Sequence, residues 1–176
     1  MSDRTVIFSH GQDGEPWGAK IVAMAEVAAT LGFGVESVDY RGLGDPLERV
    51  EKLLDFCRNR PGPKVLVGSS LGGYVSAAVS KAVEPLGMFL LAPAFYMPGY
   101  EQYTPVPAGC PIAIVHGWRD DVVPVENSIR FARNYRATLH VIDSDHRLTD
   151  GVQEIVEYLR HFLNRLSTRQ LAASGE

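Results

Sequence analysis

Six short apolar runs, five of them followed by a stretch of helical periodicity, constrain the fold more than any other feature of the chain. The runs are Thr5–His10, Phe33–Tyr40, Lys64–Gly68, Gly87–Ala92, Pro111–Val115 and Thr138–Ile142. After the first, Trp17, Ile21, Met24, Ala28 and Leu31 recur at spacings of three to four, so a helix buries them, Trp17 included. After the second, Leu47, Val50, Leu53, Leu54 and Cys57 share a face, and Pro61-Gly62-Pro63 stops the helix. The final helix carries Val152, Ile155, Val156, Leu159, Phe162 and Leu163, with Asp150 and Gln153 spaced as a capping box. Strand and helix alternating in this way imply a parallel sheet with right-handed crossovers and helices on both faces. The expected architecture is α/β, a three-layer sandwich around an about six-stranded, mostly parallel sheet. Residues 1–166 read as one domain, which suits a chain of 176 residues. Residues 167–176 are small and polar and read as a frayed tail.

In an open sheet of this kind the site lies beyond the carboxyl ends of the strands, near the point where strand order reverses. One such end stands out. Val65, Leu66 and Val67 run directly into Gly68-Ser69-Ser70-Leu71-Gly72, a G-x-S-x-G turn, and then into an Ala-rich helix. In an elbow of that form the serine hydroxyl is pushed out above the sheet. The glycines let the helix pack close to the strand, and the helix N-terminus offers free N–H groups and partial positive charge to a developing oxyanion.

A serine hydroxyl needs a base in hydrogen-bond reach, and the base needs a carboxylate to hold its tautomer. The loop after the fifth strand carries Asp120 and Asp121, and the loop after the sixth carries His146. Neighbouring side chains on an extended loop point in roughly opposite directions, so only one of the two carboxylates can serve the imidazole. The other would face solvent or cap the helix near Pro124. The order Ser, Asp, His is the one found in α/β-hydrolases.

Ser9-His10-Gly11, Gly68-Ser-Ser-Leu-Gly72, His116-Gly-Trp-Arg-Asp120 with Val123-Pro124, and His146 together resemble the α/β-hydrolase superfamily. The resemblance is to small, lidless, single-domain serine esterases, and it spans residues 5 to about 163. It implies Ser70 as nucleophile, Asp120 rather than Asp121 as the acid, and His146 as the base. It also implies the backbone N–H groups of Gln12 and Leu71 as the oxyanion hole. His10 and His116 would be structural. The chain departs from the family in three ways: two strands fewer than the usual eight, no inserted cap, and Asp145 before the final His where Gly is common.

The implied activity is hydrolysis of a small ester or thioester through an acyl-enzyme on Ser70. A hydrolase fold serving as a protein-interaction module, with weak or no catalysis, is the alternative. The Pro-, Gly- and Tyr-rich connection Pro93–Gly109 would border the site, with Phe95, Tyr96 and Trp118 as candidate pocket residues and Tyr100 and Tyr103 beside them. A net charge of -4 argues against nucleic-acid or anionic-membrane partners. No cofactor or metal is expected, since Asp143, Asp145 and His146 on one tight loop need a further ligand. The two cysteines, Cys57 and Cys110, fit no disulfide framework. With no apolar run of spanning length and no room for a leader before Thr5, the expected location is cytoplasmic.

Overall fold

Each apolar run becomes a strand in the computed structural model, which describes residues 4–174. The strands are β1 (Thr5–Ser9), β2 (Gly34–Val38), β3 (Lys64–Ser69), β4 (Gly87–Leu91), β5 (Ile112–Gly117) and β6 (Thr138–Ile142). The helices between and after them are α1 (Ala19–Thr30), α2 (Pro46–Arg58), α3 (Leu71–Val83), α4 (Val125–Tyr135) and α5 (Val152–Ser174). All five strand pairs are parallel, and the sheet order is β2-β1-β3-β4-β5-β6. The chain moves one way from β1 to β2 and the other way from β3 onward. The switch point therefore lies between β1 and β3, whose ends carry Gly11-Gln12 and Ser70.

Alternation along the strands divides the core in two. Val6, Phe8, Val67, Phe89 and Val115 face α1 and α5, while Ile7, Leu66, Leu90 and Ile114 face α2, α3 and α4. The central strands are buried on both faces, as their continuous apolar sequence requires. Cys57 sits in the second of these layers, and burial pushes its thiol pKa up to about 11.

Three sequence expectations are corrected. Trp17 is not core; it is 47% exposed on the turn before α1, which begins only at Ala19. Asp150 and Gln153 form no capping box, because Asp150 lies in a 3-10 turn (Thr149–Gly151) and reaches toward Arg119 at 3.8 Å. The tail from Ser167 is helical, with α5 continuing to Ser174. Ser167 Oγ donates to Leu163 O and accepts from Arg4, and Thr168 Oγ1 donates to Asn164 O, so these hydroxyls fold back onto the helix. Residues 175 and 176 of that tail lie outside the described residues.

Candidate active site

The elbow after β3 holds Ser70 in a conformation that most residues avoid, with φ 52° and ψ -116°. A non-glycine residue there costs on the order of 1–3 kcal/mol and persists only when the surroundings over-determine it. Four backbone hydrogen bonds do so. Ser70 N donates to Leu91 O at 2.8 Å, and Ser70 O accepts from Gly73, Tyr74 and Ala94 N–H at 3.0, 3.2 and 3.0 Å. A Cβ on Gly72 would strike Ser9 O, and one on Gly68 would strike Gly72 O. Those two glycines let α3 come down onto the ends of β1 and β3, which thrusts the Ser70 side chain out over the sheet.

Two further loops meet it there. His146 Nε2 lies 3.0 Å from Ser70 Oγ, and His146 Nδ1 lies 2.7 Å from Asp120 Oδ2. The carboxylate oxygen accepts, so Nδ1 carries the proton and Nε2 is free to accept the serine O–H. Ser70, His146 and Asp120 thus form one hydrogen-bonded chain. Asp121, the competing carboxylate, is solvent-exposed and caps nothing, since the N-cap of α4 is Pro124.

Asp120 is the most constrained group of the three. Its side chain is fully buried. Oδ1 accepts from the backbone N–H of Val122 and Val123, at 2.9 and 2.8 Å, and Oδ2 accepts from His146 and from His116 Nε2, at 2.7 and 3.0 Å. His116 Nε2 also faces Val123 O at 2.9 Å. Neither oxygen partner can donate, so the proton of His116 sits on Nε2, and Ser128 Oγ donates to Nδ1 at 2.7 Å. Burial lowers the His116 pKa, which keeps the ring neutral and leaves the negative charge of Asp120 to His146. The sequence marked His116 only as a structural strand end. Its one signal was the four-residue spacing to Asp120.

The loops carrying the acid and the base are laced together. Trp118 N donates to Ile142 O and Arg119 N to Ser144 O, while Arg119 Nε pairs with Asp143 at 2.6 Å. A Cβ on Gly117 would strike Ser144 O, so glycine permits this approach. Lys20 on α1 donates to Arg147 O at 2.6 Å, beside His146, and burial lowers its pKa to about 8.

On the other side of Ser70 lies an open trough of about 670 Å³, lined by Gln12, Ser70 and Leu71 together with Leu47, Tyr74, Met97, Tyr100, Tyr103, Val122 and Val123, among others. Gln12 and Leu71, the expected oxyanion donors, therefore flank the serine. The Leu71 N–H is among those a helix start leaves without an intrahelical partner. The three pocket candidates fall outside this trough. Phe95 is fully buried and stacks on Phe131, with ring centroids 4.0 Å apart. Tyr96 turns away at φ 50° and lies beneath the Arg130 guanidinium. Trp118 is 59% exposed on the far loop. Leu47, Tyr74 and Met97 were not singled out as pocket residues, and no sequence signal distinguished them from ordinary helix and loop positions.

A family model described as the alpha/beta hydrolase family matches residues 6–173. Among solved structures, a protein assigned to the alpha/beta hydrolase superfamily from Xanthomonas campestris pv. campestris is 35% identical, with a TM-score of 0.82 over 92% of this chain and 98% of that one. A serine hydrolase without a lid, from Xanthomonas campestris, shares the fold at 20% identity and a TM-score of 0.77, over 93% and 82% of the two chains. The mitochondrial palmitoyl-protein thioesterase ABHD10 of Bos taurus is 25% identical over 93% of this chain and 74% of that protein. By the span of the family match and the identity of these relatives, the chain belongs to the alpha/beta hydrolase family.

Proposed function

We propose that the protein is a serine hydrolase that cleaves an ester or thioester with an apolar acyl group. The observation that carries this reading is the Ser70–His146–Asp120 hydrogen-bonded chain, opening onto an apolar trough. Ser70 Oγ attacks the substrate carbonyl carbon while its proton passes to His146 Nε2. The oxyanion that forms is held by the backbone N–H groups of Gln12 and Leu71. The C–O or C–S bond then breaks, and His146 returns its proton to the departing alcohol or thiol. Water attacks the acyl-enzyme with His146 again as base, and a carboxylic acid leaves. Asp120 holds the His146 tautomer and stabilises the imidazolium in both halves.

The trough supports the apolar acyl group. Its volume falls within the range of about 300–1,000 Å³ common for small-molecule sites. Its walls are aliphatic and aromatic, and Asp45 is the one ionisable carboxyl on them, already accepting from Leu47 N–H at 2.8 Å. An anionic acyl group finds no counter-ion there. Thioester cleavage is a fitting variant, since the ABHD10 relatives are named as palmitoyl-protein thioesterases. The test is turnover of p-nitrophenyl esters and acyl-CoA thioesters of increasing chain length. The reading requires turnover that depends on chain length and exceeds that of a succinyl ester. Turnover of neither class by folded protein would contradict it.

A further inference from the structure

The mechanism above leaves one buried charge unused. Arg49, on α2, is 2% exposed, yet it forms no ion pair among the described residues. Its guanidinium donates instead to three backbone carbonyls: Nε to Leu43 O at 2.8 Å, and the two terminal nitrogens to Gly11 O at 3.3 Å and Gln12 O at 3.2 Å. It also lies over the Tyr40 ring, 5.3 Å from its centroid. The Asp13 charge acts on it without an ion-pair contact. A buried charge with no contacting counter-ion is expensive, and an apolar side chain of similar volume is often as stable or more so. Stability alone does not account for an arginine here.

The carbonyls it holds give a reason. Two belong to the loop after β1, and Gly11 C=O shares a peptide unit with Gln12 N–H. No peptide bond in the described chain is cis. In a trans unit C=O and N–H point in opposite directions. A Gly11 carbonyl turned toward α2 therefore turns the Gln12 N–H away from it. Gly11 itself packs against the elbow: a Cβ on it would lie 3.5 Å from both Ser69 O and Ser70 Cβ. Among the described residues the Gln12 N–H has no hydrogen-bond partner.

His10 grips the same carbonyl. Its Nδ1 lies 2.7 Å from Gly11 O, and the backbone N–H of Tyr40 donates to its Nε2 at 2.9 Å. An amide N–H can only donate, so Nε2 accepts and Nδ1 carries the proton given to Gly11 O. The guanidinium sits at the carbonyl end of the Gly11–Gln12 dipole, which polarises its N–H end as an oxyanion would require.

We propose that Arg49 is a positioning residue for the oxyanion hole. Together with His10 it clamps the Gly11–Gln12 peptide from behind, so that the Gln12 N–H faces Ser70, and its positive charge, bound directly only to neutral carbonyls, strengthens that donor. Its bond to Leu43 ties the same clamp to the segment leading into Asp45 and Leu47 on the trough wall. The inference rests on the acyl-enzyme reading.

The experiment compares wild type, Arg49→Met and Arg49→Lys in turnover of p-nitrophenyl butyrate and in inhibition by an alkyl trifluoromethyl ketone. The ketone adds to an active serine as a hemiketal oxyanion, so its affinity reports the oxyanion hole. Losing one oxyanion donor costs about 10²- to 10³-fold in kcat. A donor that is misaimed rather than deleted should cost roughly 10- to 10²-fold in Arg49→Met, with KM within about 3-fold. The ketone Ki should rise in step with the loss in kcat, the pH profile should keep its wild-type shape, and Arg49→Lys should fall between. A lower Tm with kcat and Ki unchanged overturns the inference. Should Arg49→Met fail to fold, Arg49→Lys decides: kcat and Ki equal to wild type overturn it. An inactive wild type overturns the acyl-enzyme reading and this inference with it, whereas an active wild type with insensitive variants overturns this inference alone.

Discussion

The two sides of Ser70 are built on opposite principles. On one side, the β5 and β6 loops hold Asp120 with four donors and His146 with two partners, and little there is free to move. On the other, the trough is walled by side chains that water still reaches: Leu47, Tyr100, Tyr103 and Val122 are each more than half exposed. Hydrogen bonds in a buried network are directional and costly to leave unmade, so each member dictates the next. Apolar contacts are non-directional, and many residues could fill the same wall. The polar side is therefore fixed to a single geometry, while the apolar wall is adjustable.

Substitutions on the two sides should differ accordingly. The largest effect belongs to Ser70→Ala, which should fold normally and lose on the order of 10⁴-fold or more in kcat, because the members of such a chain act as a unit. Comparable turnover in the variant would remove the polar side from the account. Next comes the pair of neighbouring carboxylates. Asp120→Asn should lower kcat by about 10³- to 10⁴-fold by favouring the wrong His146 tautomer. Asp121→Asn, exposed and uncoupled, should change it by no more than about 3-fold. Parallel kinetics of the two variants check this, and a crippled Asp121→Asn would contradict the geometry.

The apolar side should answer in a different currency. Tyr103→Ala should raise KM for a medium-chain ester by roughly 10-fold and leave kcat nearly untouched, which is the loss of about 1.4 kcal/mol of uniform binding. Phe95→Ala, buried against Phe131, should cost about 3–5 kcal/mol of stability with little change in chain-length preference. Chain-length profiles and denaturant melts separate the two. An altered profile in the Phe95 variant would return that residue to the pocket.

The smallest expected effect is on stability against pH. Burial lowers the pKa of His10 and His116 from the ordinary 6.5. Below pH 6.5 the unfolded chain takes up protons on these rings before the folded one does, so folding stability falls as pH drops. It should be fully present above that value and lost progressively down through the folded pKa of each ring. Thermal melts from pH 7.5 to 5.5 should show Tm declining, and a flat Tm would contradict neutral buried rings.

How much was legible in the sequence follows the same divide. The strand–helix alternation specified the parallel sheet because a strand buried on both faces needs a continuous apolar run, as in Val65–Val67. The meeting of Ser70, Asp120 and His146 was legible because each follows a strand end, Ser70 and Asp120 within motifs and His146 as the histidine of the loop after β6. Arg49 was not, since an arginine on an amphipathic helix reads as a solvated side chain until the loop it holds is seen. The pocket was not, because Phe95 and Tyr103 are alike in sequence, and only the course of residues 93–109 decides which is buried. Trp17 misled for a related reason: the helical spacing extends back to it, but Gly18 opens α1 only afterwards.

The central claim is that Ser70 is the nucleophile of an acyl-transfer site. A fluorophosphonate probe followed by intact-mass measurement and peptide mapping tests it most directly, since such a probe phosphonylates only a serine whose hydroxyl is activated. One adduct per chain, mapped to the peptide containing Gly68–Gly72 and absent in Ser70→Ala, is the result expected. Folded wild-type protein that gains no mass, or an adduct that survives in Ser70→Ala, would contradict it, and the unlabelled case would leave the fold in the service of binding rather than catalysis.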